Sequence, residues 1–273
     1  MNKVTTITCI ASVLACCTFV AGMPNFLDAE VLLQDTFNRT SFDAKEHGWA
    51  VQTHPQGKGQ FGRMPSMVGD DQQSRYSIKV DSAGAIAQTS SRSQLTYSKP
   101  VENTKDYLEF AASLRLSSKV VKTDGLLFAI SAFGQDSKGQ DAVNIEFVTK
   151  QINDGTNSVP YDQVLVSAYD NYAKNSGDES GKWVDYVETQ HRADSSKFVT
   201  YSMRLYSDRV EYTANGVVFA TYTGPNIPDG KLKFVLTAWT PDETWQTAEA
   251  SLPNDSFHYM DVDWAKVTYV HGD

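Results

Sequence analysis

Cysteine is almost absent from this chain of 273 residues: the only three, Cys9, Cys16 and Cys17, lie close to the N-terminus. If that segment is removed, the remaining chain holds no thiol at all. Disulfides, a zinc–thiolate site and a cysteine nucleophile are then excluded. Stability must come from a hydrophobic core alone, and a chain of this length can build one within a single domain.

A long apolar run is also missing, apart from one near the N-terminus. The basic start Met1–Lys3 is followed by a mostly apolar stretch, Val4–Val20, and then by the small residues Ala21 and Gly22. This order is typical of a secretory signal peptide, and a membrane span would need about 20 predominantly apolar residues. We therefore predict a signal peptide over residues 1–22, one secreted domain over residues 23–273, and no membrane span. A lipid anchor through Cys16 is the alternative.

Positive charge is scarce, since 24 Lys and Arg residues face 33 Asp and Glu residues, a formal net charge of −9. Nucleic acids and anionic membranes bind proteins through clustered Lys and Arg. Both are therefore disfavoured as partners. A neutral partner, such as a sugar, is compatible with this charge.

No amphipathic helix, internal repeat or linker is evident, and the apolar residues alternate with a period of two. Alternation of this kind predicts strands at Tyr107–Leu116, Leu126–Phe133, Ala142–Val148, Val164–Tyr169, Val199–Tyr206, Arg209–Thr213, Val217–Tyr222, Lys231–Trp239 and Met260–Val270. Turn residues separate them, and Asn215-Gly216 is a strong hairpin signal. Many short strands at this spacing indicate an all-β sandwich or jelly roll.

One strand carries polar residues where they could act on a ligand. In Ala142–Phe147, alternation places Val143, Ile145 and Phe147 on one face, suited to packing between two sheets. Ala142, Asn144 and Glu146 then share the other face. A solvated surface would explain this pattern equally well if the strand stood alone.

The strand resembles the active-site strand of glycoside hydrolase family 16, in which Glu-x-Asp-x-Glu is followed by Phe. Further segments resemble the same family in the same order along the chain: Phe198–Ser202, Val210–Val218, Ile227–Trp245 and Met260–Trp264. The resemblance covers roughly Tyr107–Val270. It implies a concanavalin A-like jelly-roll β-sandwich of two antiparallel sheets with a concave cleft for polysaccharide.

By this resemblance, Glu146 matches the general acid/base, Asn144 replaces the central aspartate, and Ala142 replaces the nucleophile. A retaining glycosidase needs a carboxylate nucleophile and a carboxylic acid on either side of one bond. A methyl group cannot form the covalent intermediate. Asp141 is one residue away, so a regular strand points it to the opposite face, and only a local bulge would bring it round.

The resemblance also implies ligand contacts outside this strand. Trp239 and Trp245 match cleft tryptophans, whereas Tyr172 and Trp183 are expected near the cleft because they lie in or beside a polar loop, Asn171–Gly181. Trp264 is expected in the core. Asp263 matches the aspartate through which some members hold a structural calcium, with backbone oxygens completing the shell. Otherwise no cofactor is required.

Three functions remain open. The first is a secreted, monomeric protein that binds a β-glucan-like polysaccharide, as do non-catalytic relatives of the family, the β-1,3-glucan recognition proteins. The second is a divergent hydrolase or transglycosylase that uses Glu146 as acid with an unusual nucleophile or a water. An inverting mechanism of this kind needs a second carboxylate, for which the loop residues Asp170 and Asp178 are the candidates. The third is a structural cell-wall or matrix protein.

Overall fold

The structure, a computed structural model, describes residues 28–39, 45–53, 55–56, 59–60, 66–68, 73–79, 93–102, 106–116, 126–149, 163–172, 180–189, 197–239 and 257–271. Within these ranges the regular elements are all strands, and no helix occurs. The prediction of an all-β chain is confirmed. The predicted signal peptide, Cys16, Trp245 and Asp178 lie outside the described residues.

Seventeen strands are described. They are β1 (Asp28–Asp35), β2 (Trp49–Val51), β3 (Pro55–Gln56), β4 (Gly59–Gln60), β5 (Ser66–Val68), β6 (Gln73–Lys79), β7 (Ser93–Tyr97), β8 (Tyr107–Leu116), β9 (Leu126–Gln135), β10 (Gln140–Thr149), β11 (Gln163–Tyr172), β12 (Lys182–Glu188), β13 (Val199–Tyr206), β14 (Val210–Ala214), β15 (Val217–Tyr222), β16 (Lys233–Trp239) and β17 (Phe257–His271). All nine strands predicted from alternation are present, with ends that differ by a few residues at most.

The strands form two large antiparallel sheets and one small ribbon. Sheet A has the order β15-β14-β13-β8-β17-β6-β5, with β1 also paired to β17, and sheet B has the order β12-β11-β10-β9-β16-β7-β2. The ribbon is β3-β4. Along the chain, β8 lies in sheet A, β9–β12 in sheet B, β13–β15 in sheet A, β16 in sheet B and β17 in sheet A. The two sheets stack as the layers of a sandwich. We call the side facing the other sheet the core face, and the opposite side the outer face.

The hairpin predicted at Asn215-Gly216 joins β14 to β15. Both turn residues have positive φ, 50° and 79°, which is the type I′ geometry that two-residue hairpins favour. The Asn215 side chain also accepts a hydrogen bond from the Thr200 N–H at 3.0 Å. The turn is therefore fixed to β13 as well as closing its own hairpin.

The main core lies between the sheets and is rich in aromatic rings. Val143, Ile145 and Phe147 are fully buried in it, as alternation predicts. Phe147 meets Tyr201 of sheet A edge-to-face at 4.9 Å between ring centroids. Edge-to-face pairs of this kind stabilise a core beyond their buried area alone.

Trp264 departs from its predicted place in the core. The β17–β8 register shifts between Val262 and Trp264, so Asp263 is the extra residue of a bulge. Val262 and Ala265 are both buried in the core, while Trp264 is only half-buried and lies between them in sequence. A bulge advances the alternation by one residue, and this turns the indole to the outer face of sheet A.

One buried aspartate joins β1 of sheet A to β2 of sheet B. Asp35 accepts hydrogen bonds from Trp49 Nε1 at 2.8 Å, from the Phe37 N–H at 2.8 Å, and from Arg39 at 2.8 and 2.7 Å. Burial alone would raise the pKa of Asp35, but these hydrogen bonds and the Arg39 charge lower it below its ordinary value. The ionised carboxylate therefore ties the two layers together.

As for the membrane, the described residues form no helix long and apolar enough to cross one.

Candidate functional site

The strand β10 lies near the middle of sheet B, between β9 and β11. Its register with β9 is continuous from Gln140 to Thr149, so alternation holds along its whole length. Ala142, Asn144 and Glu146 therefore share the outer face, as predicted. All three are buried or nearly so, with exposed fractions of 1%, 7% and 8%.

Glu146 is a buried carboxyl in apolar surroundings. Its cross-strand neighbours are Ala129 of β9 and Leu165 of β11, and both belong to a small apolar cluster on this face, with Leu127, Val184 and Tyr186. Glu146 Oε2 has no hydrogen-bond partner among the described residues. Burial raises the pKa of Glu146 to about 7. The group is therefore protonated in mildly acidic solution and can then donate a proton or a hydrogen bond.

Asn144 is held by its neighbouring strand. Its Nδ2 donates a hydrogen bond of 2.9 Å to Ser167 Oγ on β11, and Ser131 of β9 lies opposite on the other side. The amide carries no charge, so it cannot change the pKa of Glu146 as a carboxylate would. Its observed role is to connect β10 to β11 within the outer face.

Ala142 lies between two aromatic residues. Phe133 of β9 and Tyr169 of β11 are its direct cross-strand partners. Phe133 is 37% exposed, whereas Ala142 is almost completely buried. No carboxylate occupies this position, and the nearest side chains across the strands are two rings.

A bulge in β11 adds Tyr172 to the same face. Gln140 pairs with Tyr172 and Ala142 with Tyr169, so Asp170 and Asn171 together oppose a single residue of β10. Asn171 has a positive φ of 51°. Strict alternation would send Tyr169 and Tyr172 to opposite faces, but the extra residue brings them together, and their rings stack at 5.3 Å. The Lys182 ammonium lies 5.6 Å from the Tyr172 ring.

Asp141 does not replace the missing nucleophile. The bulge lies in β11 and leaves β10 regular, so Asp141 points away from Ala142 and Glu146. Its Oδ1 accepts a hydrogen bond of 2.8 Å from the Asn171 N–H, and Gly230 packs directly against its carboxylate. Its carboxylate instead groups with those of Asp170 and Asp229.

These three acids have carboxylate oxygens within 4.8 Å of one another. Partial burial first, and then the charges of Asp141 and Asp229, raise the pKa of Asp170. Among the described residues this is the one group of three acidic, His or Cys side chains that could hold a metal ion. Asp170 therefore lies with Asp141 and is not available beside Glu146.

The remaining predicted contacts are distributed differently. Trp183 pairs with Ala168, a core residue, and packs against Tyr222 at 4.5 Å and Tyr212 at 6.0 Å. Its ring is therefore on the core face of β12, opposite to Glu146, and we leave it out of the candidate site. Trp239 ends β16 in register with Leu127, but its side chain is outside what the structure describes. Asp263 lies in the β17 bulge and is not part of the three-acid group.

Phe133 was not among the predicted contacts, because it ends a predicted strand and nothing in the sequence singles it out. Tyr169 lies beside the polar loop from which Tyr172 and Trp183 were predicted, but it was not itself predicted as a contact. Phe133 shares the alternation Leu127, Ala129, Ser131, and a register of β9 against β10 would have placed it beside Ala142. That register cannot be read from the sequence of either strand.

No protein-family model and no curated protein sequence matches this chain. Solved structures do match it. A Bacteroides ovatus mixed-linkage glucan enzyme of glycoside hydrolase family 16, in complex with its product, has a TM-score of 0.64 at 16% identity, covering 86% of this chain and 99% of the other. An endo-1,3-β-glucanase from Streptomyces sioyaensis has a TM-score of 0.64 at 15% identity, covering 92% and 100%.

A β-glucanase from Bacillus licheniformis is similar as well, with a TM-score of 0.57 at 14% identity, covering 88% of this chain and 98% of the other. At such identities the likeness establishes the fold. The chain has the jelly-roll sandwich of family 16 glucanases over most of its length, and the predicted fold class is confirmed.

Proposed function

We propose that this chain is a secreted protein that binds a β-glucan-like polysaccharide on the outer face of sheet B and has no retaining hydrolase activity. The fold is that of glucanases whose structures include complexes with glucan oligosaccharides. The β10 strand presents its polar residues on the outer face of the sandwich. Secretion rests on the N-terminal segment, and the protein is expected to act as a monomer.

The observation that carries this proposal is the residue at position 142. A retaining mechanism needs a carboxylate there, and the chain offers a buried methyl group between Phe133 and Tyr169. Loss of a covalent nucleophile costs several orders of magnitude in rate. The general-acid position, in contrast, keeps its carboxyl, Glu146.

A second candidate is a hydrolase that uses Glu146 as its acid. It is favoured by the pKa of Glu146, which burial raises to about 7, as a general acid requires. An inverting enzyme would also need a second carboxylate roughly 6.5–9.5 Å away to activate water. Asp141 and Asp170 lie together with Asp229 in the three-acid group and not beside Glu146. This candidate therefore depends on a residue beyond the described ranges, such as Asp178.

The third candidate, a purely structural matrix protein, would be expected to present a face without accessible aromatic rings. Phe133, at 37% exposure, argues against it.

Calcium at Asp263 stays a separate prediction. Among the described residues Asp263 belongs to no group of three acidic, His or Cys side chains, so backbone oxygens would have to supply part of the calcium shell, and chelation followed by a melting measurement would test it.

The test is a paired assay on the secreted chain. Retention on insoluble β-1,3-glucan, mixed-linkage glucan, xyloglucan and galactan is measured alongside the release of reducing ends. We expect retention on a glucan, weakened by Trp239→Ala, with no sugar released. Release of sugar that Glu146→Gln abolishes would favour the second candidate instead, and the absence of retention on every polysaccharide would contradict binding.

A further inference from the structure

The outer face of sheet A carries a row of arginines and aromatic rings near the start of β13. Arg115 of β8 and Arg75 of β6 are the cross-strand partners of Asp261 on β17, one on each side. The Arg115 guanidinium lies 4.7 Å from the ring centroid of Phe198, and the Arg75 guanidinium lies 3.6 Å from that of Tyr259. We call these five residues the arginine patch. The patch lies on the opposite side of the sandwich from the candidate site on β10.

Both guanidinium groups of the arginine patch are held in place. Asp261 is fully buried and accepts hydrogen bonds from Arg75 Nε at 2.6 Å, from Arg75 Nη2 at 3.0 Å and from Arg115 Nε at 3.1 Å. The side chains of Arg75 and Arg115 are 26% and 33% exposed, so a ligand can reach both from solvent. The two Nη groups of Arg115 donate to no described residue. The patch therefore presents an oriented fork of unused donors.

The arginine patch has fewer carboxylates than the other arginines of this face. Towards the opposite end of the face, two arginines are paired with three carboxylates. These pairs join Arg204 to Glu109 and Glu211, and Arg209 to Glu211 and Asp208. In the patch two arginines share Asp261, and no other acid among the described residues pairs with either of them. One positive charge is therefore uncompensated, in a chain whose formal net charge is −9.

The charged residues next to the arginine patch leave this excess in place. Lys197 is exposed and precedes Phe198 in sequence, and Lys266 lies further along β17 on the same face. Asp263, the extra residue of the β17 bulge, brings one carboxylate to the region but pairs with neither arginine. The region is therefore net positive, and a local positive field favours an anionic ligand.

Trp264 adds an aromatic face beside the arginine patch. It pairs with Ser113, two residues before Arg115 on β8, so Trp264 and Arg115 are diagonal neighbours on the outer face. A regular strand would have directed this indole into the core, whereas the bulge at Asp263 turns it outward and leaves it partly open to solvent. Bulges commonly re-aim a side chain in this way. A donor fork and a stacking face thus lie side by side.

We propose that the arginine patch and Trp264 bind a uronate residue of an acidic polysaccharide. Arg115 donates two parallel hydrogen bonds to the sugar carboxylate, the geometry in which arginine binds carboxylates most strongly. The pyranose ring packs its C–H groups against the indole, which offers a flat apolar face. The proposal does not depend on the proposed function, because the two sites lie on different sheets. A chain with both sites would join a neutral glucan to an acidic polymer.

The choice of a sugar acid over an acidic peptide follows from the position of Trp264. A uronate carries its carboxylate directly on a rigid ring, so the carboxylate and the ring can contact Arg115 and Trp264 together. An Asp or Glu side chain carries its carboxylate on a flexible stem and offers no comparable face to the indole. A neutral glucan would leave the guanidinium fork without a charged partner.

The test titrates the full chain calorimetrically with a linear tetramer of 1,4-linked galacturonate. Arg115→Gln removes the charge and the fork, and it should weaken binding at least about tenfold. Arg115→Lys keeps the charge but loses the fork, so it should also bind more weakly than wild type. Trp264→Ala should weaken binding about tenfold, as loss of a contact aromatic does, and Trp264→Phe should restore most of the affinity.

Arg209→Gln is the matched control. Arg209 has the same side-chain exposure as Arg115, 33%, and its guanidinium also lies over a ring, 3.6 Å from the centroid of Tyr206. It is paired with two carboxylates, so its removal should leave galacturonate binding unchanged. Melting temperatures verify that each variant is folded. If a truncation unfolds the chain, Arg115→Lys and the ratio of Trp264→Phe to wild type still decide.

Three further tetramers test the ligand class: the mixed-linkage glucan, a sulfated galactan and a tetraglutamate peptide. We expect each to contribute less binding at the arginine patch, measured as the affinity that Arg115→Gln removes. A larger loss for the sulfated tetramer would contradict a carboxylate ligand, and a larger loss for the peptide would contradict a sugar ring. The proposal is overturned if wild type binds no galacturonate, or if Arg115→Gln binds it equally well.

The two proposals fail separately. Arg115→Gln should be retained on insoluble β-glucan as strongly as wild type, because Arg115 lies on the sheet opposite to β10. Loss of galacturonate binding with retention on glucan unchanged supports a second site. Joint loss of both in a folded Arg115→Gln variant would contradict it, because a single surface would then bind both polymers.

Discussion

The outer face of each sheet holds a buried carboxylate, and the two carboxylates differ in whether they have a charged partner. On sheet A, Asp261 is fully buried, and Arg75 and Arg115 on the neighbouring strands donate to it at 2.6 and 3.1 Å. On sheet B, Glu146 is nearly as buried, but its Oε2 has no partner among the described residues. A buried charge without a partner is costly, so Glu146 lacks the compensation that the two arginines give Asp261.

Asp35 follows the pattern of Asp261, with Arg39 and two further donors. The chain therefore supplies partners where a carboxylate serves the fold. A perturbed carboxyl that lacks such partners is a candidate for contact with a ligand. The comparison gives Glu146 a functional reading that its exposure alone would not give.

Removal of the paired carboxylate, Asp261, should have the largest effect on the free energy of unfolding. Asp261→Ala leaves Arg75 and Arg115, which are 26% and 33% exposed, without their shared partner. Loss of one member of a buried ion pair costs about 3–5 kcal/mol, and partial exposure of both arginines places our expectation at the low end. Urea unfolding measures it. A change below about 1 kcal/mol would show that the pair contributes little.

The contribution of the unpaired carboxyl, Glu146, to stability should depend on pH. Burial raises the pKa of Glu146 in the folded protein to about 7, above the ordinary value of a glutamic acid, so its contribution to stability is fully present below the unfolded pKa and is lost as pH rises through 7. The shift corresponds to a few kcal/mol. The wild-type protein should therefore lose stability between pH 5 and pH 8, and Glu146→Gln should not. Identical pH profiles for the two proteins would contradict an unpaired carboxyl.

Asp35 should show the reverse dependence, with a smaller effect. Its folded pKa is lowered, so its contribution is present above the unfolded pKa and is lost as pH falls through the folded pKa. Asp35→Asn should cost about 2 kcal/mol at pH 7, and the difference from wild type should shrink in acid. Thermal melts at pH 7 and pH 3 measure it. A difference that grows in acid would show the sign to be wrong.

Much of this architecture could be predicted from the sequence. Alternation located nine strands and placed Val143, Ile145 and Phe147 in the core, because side-chain direction in a regular strand depends only on position. Asn215-Gly216 gave the hairpin because both residues tolerate positive φ. These are local properties, and the chain encodes them locally.

The errors and omissions occur at irregularities and at contacts between strands. The bulge at Asp263 moved Trp264 out of the core, and the bulge at Asn171 stacked Tyr172 on Tyr169. A bulge depends on how two strands pair, which neither strand states alone. The pairing of Phe133 with Ala142 is of the same kind, so the sequence indicated the site strand and Tyr172 but not Phe133.

The most direct measurement of the central claim is the joint assay of glucan retention and reducing-end release with wild type and Glu146→Gln. The account predicts that the wild-type chain is retained on β-glucan and releases no sugar, and that the variant releases none either. Sugar release by wild type that disappears in Glu146→Gln would contradict the account, because it would show that the chain cleaves glucan without a carboxylate at position 142.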